Sequence, residues 1–286
     1  MMNLIFDRLS RSLKPFLFGG SSKHPPDSQI VWIGCSPRSG STLLTRILNS
    51  HSRIASPCEL AIPKYFPTED VKYESVRQKY RQICDYYQAD FDRSSLEPRY
   101  LMGHILEREG KECIVLKDPR QSLFLGEILR DFPDSKFIHL ARDVRSVAMS
   151  KMFANRPHDA FQRWLEYNRA VLNVTESLAA ERVFLIRYED IVTNPGEAIE
   201  KLVRFLGYDF EPSMLDYGRF DHADEKMRLW DGTTPSYSPL HTALKTHKIS
   251  QTVAVDRQKY SSEILDLYQK NQNVRELNCF LGLDDR

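Results

Sequence analysis

The chain has 286 residues, of which 41% are hydrophobic, 11% aromatic and 28% charged. That supplies apolar mass for one large α/β domain or two smaller ones, and it excludes collagen-like, mucin-like and wholly disordered classes. With 40 Lys+Arg against 39 Asp+Glu the net charge is +1, which argues against a general nucleic-acid binder, because such proteins carry a basic footprint.

No stretch reaches the roughly 18 apolar residues of a membrane span. The opening MMNLIFDRLSRSLKPFLFGG does not read as a signal peptide, because Asp7, Arg8, Arg11 and Lys14 interrupt it before an apolar region forms. Within residues 1–18, Ile5, Phe6, Leu9, Leu13, Phe16 and Leu17 fall at helical spacing with basic residues between them. The pattern fits a basic amphipathic helix in peripheral contact with a membrane, and equally a helix packed on the main domain or a frayed terminus. GGSSKHPPDS (19–28) is a linker by composition, so residues 29–286 are expected to form the principal domain. Cys35, Cys58, Cys84, Cys113 and Cys279 are odd in number, with no CxxC and no zinc spacing. They read as reduced thiols of a cytoplasmic protein, Cys35 and Cys113 being buried beside strands.

From residue 29 onward, strand and helix alternate. QIVWIG (29–34) is a buried strand and STLLTRILN (41–49) a helix with Leu43, Leu44, Ile47 and Leu48 on one side. The charged and aromatic stretch 70–109 is helical without clear boundaries. ECIVL (112–116) is a strand, 121–130 a helix, KFIHL (136–140) a strand, and 144–153 and 160–178 are helices. RVFLI (182–186) is the next strand, and 195–206 is a helix that Pro195 helps to start. Residues 212–260 read as irregular, followed by a helix near 261–270. Strands separated by helices predict right-handed βαβ units, hence an α/β fold with a parallel sheet of four or five strands covered on both faces.

The sharpest motif is the strand–loop–helix IVWIG, CSPRSG, STLLTRIL. A helix N-terminus offers free N–H groups and the positive end of a dipole. Gly40 lets the backbone approach an anion, Ser39, Ser41 and Thr42 add hydroxyl donors, and Arg38 adds a planar fork for phosphate or sulfate oxygens. It is not a Walker A loop: Gly34 and Gly40 enclose five residues, and Ser41 takes the place of the lysine. Without that lysine the loop is poorly suited to stabilising a transferred γ-phosphoryl group.

PRSGSTLL (Pro37–Leu44) resembles the 5′-phosphosulfate loop of sulfotransferases that use 3′-phosphoadenosine 5′-phosphosulfate (PAPS). KFIHLARDVRSVAMS (Lys136–Ser150) resembles the segment of the same family that binds the 3′-phosphate. The resemblance covers about residues 30–210 and implies a P-loop-like sulfotransferase fold. It implies that Pro37, Arg38, Ser39, Gly40, Ser41 and Thr42 hold the 5′-phosphosulfate, and that Arg142 at a strand end and Ser150 on the following helix hold the 3′-phosphate. Arg142, Ser146 and Ser150 step by four, which makes one stripe if the segment is helical from its start.

The same resemblance is to the branch, containing tyrosylprotein and bacterial carbohydrate sulfotransferases, that places a glutamate after the phosphate-loop helix and a lysine in a KDP segment. It implies Glu59 as general base and Lys117 of LKDPR as the cation on the leaving oxygen, with no metal expected. Lys117 also reads as an ion-pair partner of Asp118 or Glu59, and Arg120 as an acceptor contact. Tyr188 and Glu189 of LIRYEDIV match the family's post-strand segment, where the tyrosine lies near the nucleotide, and equally fit a capped strand-to-helix connection. Lys248, Ser250 and Lys259 match its late cofactor loop. His139 and His247 read as structural. One departure is Ala61, which stands where tyrosine-sulfating enzymes have an arginine. The implied reaction is sulfuryl transfer from PAPS to a hydroxyl acceptor, carbohydrate, lipid-linked or other, with no nucleic-acid partner. Two rivals remain: a nucleoside-triphosphate-dependent kinase, marked by a loop lysine and Mg²⁺ dependence, and a non-catalytic protein that binds the bisphosphate nucleotide.

Overall fold

Strands buried on both faces read as unbroken apolar runs, and the first such run, Gln29–Cys35, forms β1 at the centre of the sheet. The computed structural model describes residues 29–57, 59–220, 222 and 260–284. β2 (Ile54–Ala55), β3 (Cys113–Lys117), β4 (Lys136–Ala141) and β5 (Val183–Arg187) complete one sheet ordered β2-β3-β1-β4-β5. Every pairing is parallel, with Ile33 opposite Lys117, Cys35 opposite Leu140, and Ala141 opposite Arg187.

Side chains alternate across the strands. Val31, Ile33, Cys35, Val115, Ile138 and Leu140 face one layer, built from α1 (Ser41–Asn49), α8 (Tyr188–Thr193) and α9 (Pro195–Leu206). Trp32, Ile114, Leu116 and Phe137 face the other. That second layer holds α2 (Tyr73–Tyr87), α3 (Phe91–Leu96), α4 (Pro98–Glu109), α5 (Leu125–Asp131) and Val171 of α7 (Pro157–Thr175). A third cluster joins α6 (Val144–Ala148) and α7 to α10 (Ser262–Lys270) and α11 (Gln272–Phe280). Gly34 is required by close approach: a Cβ there would meet Val171 Cγ2 at 2.7 Å and Leu125 Cδ1 at 3.0 Å. Among the described residues no helix is long and apolar enough to cross a membrane.

Three readings of the sequence need correction. The helix expected over 144–153 ends at Ala148, and Ser150 is extended (φ −69°, ψ 149°) ahead of a 3₁₀ turn at Lys151–Phe153. That turn buries Phe153 in the cluster of Val144, Val147 and Ala148, so the stripe of Arg142, Ser146 and Ser150 does not exist. The helix expected from Gln121 begins as a 3₁₀ turn over Pro119–Phe124, because Asp118 caps it by accepting from Arg120 N–H at 2.9 Å. The stretch 70–109 resolves into three helices. They are divided at Gln88, which has φ +56°, at the capping Asp90, and at Pro98. Readings placed on residues 1–28, on Cys58, and on Thr246–Lys259, including His247, Lys248, Ser250 and Lys259, lie outside the described residues.

Candidate active site

In an open parallel sheet, ligands bind beyond the carboxyl ends of the strands where the strand order reverses. Here the chain runs from β1 outward to β2 and β3 on one side and to β4 and β5 on the other. The turns after β1, β3, β4 and β5 therefore meet at one edge.

The turn after β1 is tightly wound. Arg38 (φ +70°) and Gly40 (φ +90°) are both left-handed, and Ser36 Oγ lies 2.8 Å from Ser39 Oγ. No side chain caps α1 behind Gly40, so the first N–H groups of this nine-residue helix keep their full donor capacity. Arg38 is exposed, Pro37 and Thr42 partly so, and Ser39 and Ser41 are buried. Ser122 fastens the base of the loop: its Oγ accepts from Cys35 N–H at 2.9 Å and donates to Cys35 O at 3.0 Å.

On the β3 side, the second segment continues past β2. A parallel bridge pairs Glu59 with Lys117, and Leu60 N–H donates to Lys117 O at 3.2 Å. The two side chains meet, with Lys117 Nζ donating to Glu59 Oε1 at 2.6 Å. The Lys117 side chain is 2% exposed and that of Glu59 26% exposed, so the carboxylate faces the opening. Burial pushes the Glu59 carboxyl up, but Lys117, by charge and hydrogen bond, together with Arg120 and Lys79, holds it below the usual range. Asp118 is taken by Arg120, 2.6 Å away, which decides between the two ion pairs open to Lys117. Burial pushes the Cys35 thiol up to about 12, and the charges of Lys117, Glu59 and Asp118 all act on it, as does a hydrogen bond with Ser41.

On the other side of β1, Arg142 and Tyr188 each directly follow the last paired residues of β4 and β5, Ala141 and Arg187. The Arg142 guanidinium lies 4.1 Å from the centre of the Tyr188 ring and donates to Arg38 O at 3.0 Å. The same ring packs on Gly40, where a Cβ would come within 2.2 Å of Tyr188 Cδ2. Tyr188 therefore packs against both the first loop and Arg142. Arg142 and Ser150 flank α6, and Arg142 Nε and Ser150 Oγ are both buried without a hydrogen-bond partner among the described residues. Ser146 Oγ, by contrast, lies 2.8 Å from Tyr260 Oη. His139 is buried in β4 with Nε2 2.9 Å from Asn168 Oδ1, away from any carboxylate, as its structural reading required.

Sequence reasoning missed three supports. Ser122 follows LKDPRQ with no signal of its own. Trp164, which donates through Nε1 to Arg142 O at 2.8 Å, was legible only as a core position of α7. Lys79 sits in the stretch whose helix boundaries were unclear.

The sulfotransferase family model matches residues 30–212. The chain belongs to the sulfotransferase family. It is 27% identical over 204 residues to Protein-tyrosine sulfotransferase 1 of Danio rerio, covering 67% of this chain and 56% of that protein. It is 26% identical over 186 residues to the omega-hydroxy-beta-dihydromenaquinone-9 sulfotransferase of Mycobacterium bovis, covering 58% and 43%. The matched segment thus spans about half the length of these curated relatives. The sulfotransferase domain of the Synechococcus PCC 7002 olefin synthase superposes with a TM-score of 0.62 at 22% identity, covering 93% of this chain and 98% of that one, and shows the shared fold.

The residues present fit a doubly anionic nucleotide. The uncapped α1 and left-handed Gly40 suit one anion. Arg142 Nε and Ser150 Oγ, both orphaned and buried, are polar atoms that a second anion would satisfy.

Proposed function

We propose that this chain transfers a sulfuryl group from PAPS to a hydroxyl-bearing acceptor, with Glu59 as general base. The observation that carries the reading is the Glu59–Lys117 pair, 2.6 Å apart at the end of β3, the strand paired with β1 that leads into the first loop. When bound, PAPS supplies the sulfuryl group, released from its 5′-phosphate oxygen as the acceptor oxygen bonds to sulfur, and leaves as the 3′,5′-bisphosphate. Glu59 accepts the hydroxyl proton at its carboxylate. Taking that proton neutralises the partner of Lys117, so the ammonium charge becomes available to the leaving oxygen as charge builds there. Arg38 to Thr42 hold the 5′ side through backbone, guanidinium and hydroxyl donors in the loop that Pro37 opens, and Arg142 and Ser150 hold the 3′-phosphate. Cationic side chains and helix N–H groups supply the charge compensation.

Tyrosyl-peptide specificity is not proposed. Ala61 is buried against Phe66, Val76 and Tyr73, where tyrosine-sulfating enzymes carry an arginine, so a carbohydrate, lipid-linked or other hydroxyl fits this opening as well. The test is calorimetric titration of the full chain with 3′,5′-bisphosphoadenosine, with Mg-ATP in parallel. Micromolar binding of the bisphosphate without added metal is expected. Binding of Mg-ATP with no response to the bisphosphate would replace this reading with that of a kinase.

A further inference from the structure

Glu189 is a carboxylate only 5% exposed, and the chemistry above gives it no task. It follows Tyr188 in the first turn of α8. Its Oε1 accepts from the backbone N–H of Asp143 at 3.0 Å, across 46 residues, while Oε2 is buried with no hydrogen-bond partner among the described residues. Burial raises its carboxyl above the usual range, against the lowering pull of the Asp143 N–H and of Arg142. A buried, half-satisfied carboxylate is costly to keep, and an apolar side chain would fill the space more cheaply.

The bond it makes explains the cost. The N–H of Asp143 and the C=O of Arg142 belong to one planar peptide unit. Trp164 Nε1 donates to that carbonyl at 2.8 Å, and Glu189 accepts from that N–H. The peptide is gripped at both ends, so it cannot rotate, and the direction in which Arg142 leaves the main chain is fixed with it. Asp143 is held separately: its carboxylate caps α6 by accepting from Arg145 N–H at 2.8 Å. The side chain of Arg142 is steadied by Tyr188 and by Arg38 O.

We propose that Glu189 is a positioning residue for the donor's 3′-phosphate, clamping the Arg142–Asp143 peptide opposite Trp164 and so aiming the Arg142 guanidinium. The proposal rests on the reading of Arg142 as a 3′-phosphate ligand. The test titrates the full chain and its variants with 3′,5′-bisphosphoadenosine and with adenosine 5′-monophosphate, which lacks the 3′-phosphate, and follows thermal unfolding of each. Glu189→Ala is expected to weaken the bisphosphate about tenfold or more, and the monophosphate less than about threefold. Glu189→Gln, whose carbonyl still accepts from Asp143 N–H, is expected to restore the wild-type ratio. Equal losses for both nucleotides, or a Glu189→Gln variant as selective in its defect as Glu189→Ala, would overturn the proposal. Should Glu189→Ala not fold, Glu189→Asp, one methylene too short for the N–H, takes its place with the same readings. A wild-type chain that binds neither nucleotide would overturn the donor reading itself, a result distinct from a variant that loses both equally.

Discussion

Lys117 Nζ lies 2.6 Å from Glu59 Oε1, and the two residues are also backbone neighbours across a parallel bridge. The contact therefore does not depend on two long side chains finding each other. It has a consequence for pH. The carboxyl is held below its usual range by Lys117 against the opposing push of burial. A base works in its deprotonated form, so kcat/KM is expected to stay level from neutral pH down to the ordinary carboxylate range and to fall only below it. Lys117→Met removes the main counter-charge and leaves burial opposed only by the weaker pull of Arg120 and Lys79, so the acid limb is expected to move up by about one pH unit or more. Turnover should fall about 10²-fold as well, through lost stabilisation of the leaving oxygen. A pH–rate profile of the two proteins decides the matter: an unmoved limb would separate Glu59 from the titration that controls rate.

Glu59→Gln tests the base directly. The amide keeps the shape and still accepts from Lys117, but it takes no proton. Affinity for 3′,5′-bisphosphoadenosine is expected to stay within about threefold, while turnover falls about 10²-fold or more. Near-normal turnover would remove Glu59 from the mechanism.

Legibility in the sequence followed how local the determining forces are. The apolar runs of β1 and the Pro195–Leu206 helix carry their signals within a few residues, and both stand where those signals put them. The loop Ser36–Gly40 was equally readable, because Gly40 and the following hydroxyls are contiguous. The end of α6 was not, because burial of Phe153 against α7 stops it, and that contact is invisible in 144–153 taken alone. The parts of the site built from distant segments were hidden for the same reason. Nothing in LIRYEDIV says that Glu189 will reach Asp143, and nothing in α7 says that Trp164 will reach Arg142. The roles of Glu59 and Lys117 came through a resemblance, and only the structure decides which of the two ion pairs read for Lys117 is made.

Arg142 makes a selective prediction. Its guanidinium lies 4.1 Å from the centre of the Tyr188 ring, and its Nε is buried without a partner among the described residues. Arg142→Ala is expected to weaken 3′,5′-bisphosphoadenosine about tenfold or more beyond any change for adenosine 5′-monophosphate, as loss of a charge-assisted contact to one phosphate requires. Calorimetry with both nucleotides reads the difference. Equal weakening would mean that the 3′-phosphate lies elsewhere.

Gly40→Ala makes a structural one. The position has φ +90°, and the new Cβ would lie 2.2 Å from Tyr188 Cδ2. A shift of Tyr188 would disturb the Arg142 guanidinium, which lies 4.1 Å from the centre of the same ring. The substitution is expected to cost about 1–3 kcal/mol of stability and to weaken bisphosphate binding by displacing both Tyr188 and Arg142. Urea unfolding together with the titration above checks it. A stable variant with unchanged affinity would show that this packing is not needed.

His139 supplies the last prediction, and it concerns stability rather than turnover. Burial lowers its pKa to about 4 from an ordinary 6.5, against the small opposing effect of the Asn168 hydrogen bond. The folded chain therefore keeps the ring neutral while the unfolded chain protonates it below about pH 6.5. In that range the unfolded state binds the extra proton, so stability is lost as pH falls from 6.5 to about 4 and is fully present above 6.5. The whole contribution is about 3 kcal/mol at most. Asn168 is held in turn by its own donation to Trp164 O at 2.7 Å, so the acceptor cannot swing away to admit water. His139→Gln keeps a donor toward Asn168 and does not titrate. Its unfolding free energy is expected to fall less steeply than that of the wild type between pH 6.5 and 5, above the range where carboxylates contribute most. Parallel slopes for the two proteins would mean that His139 protonates in the folded state as readily as in the unfolded one.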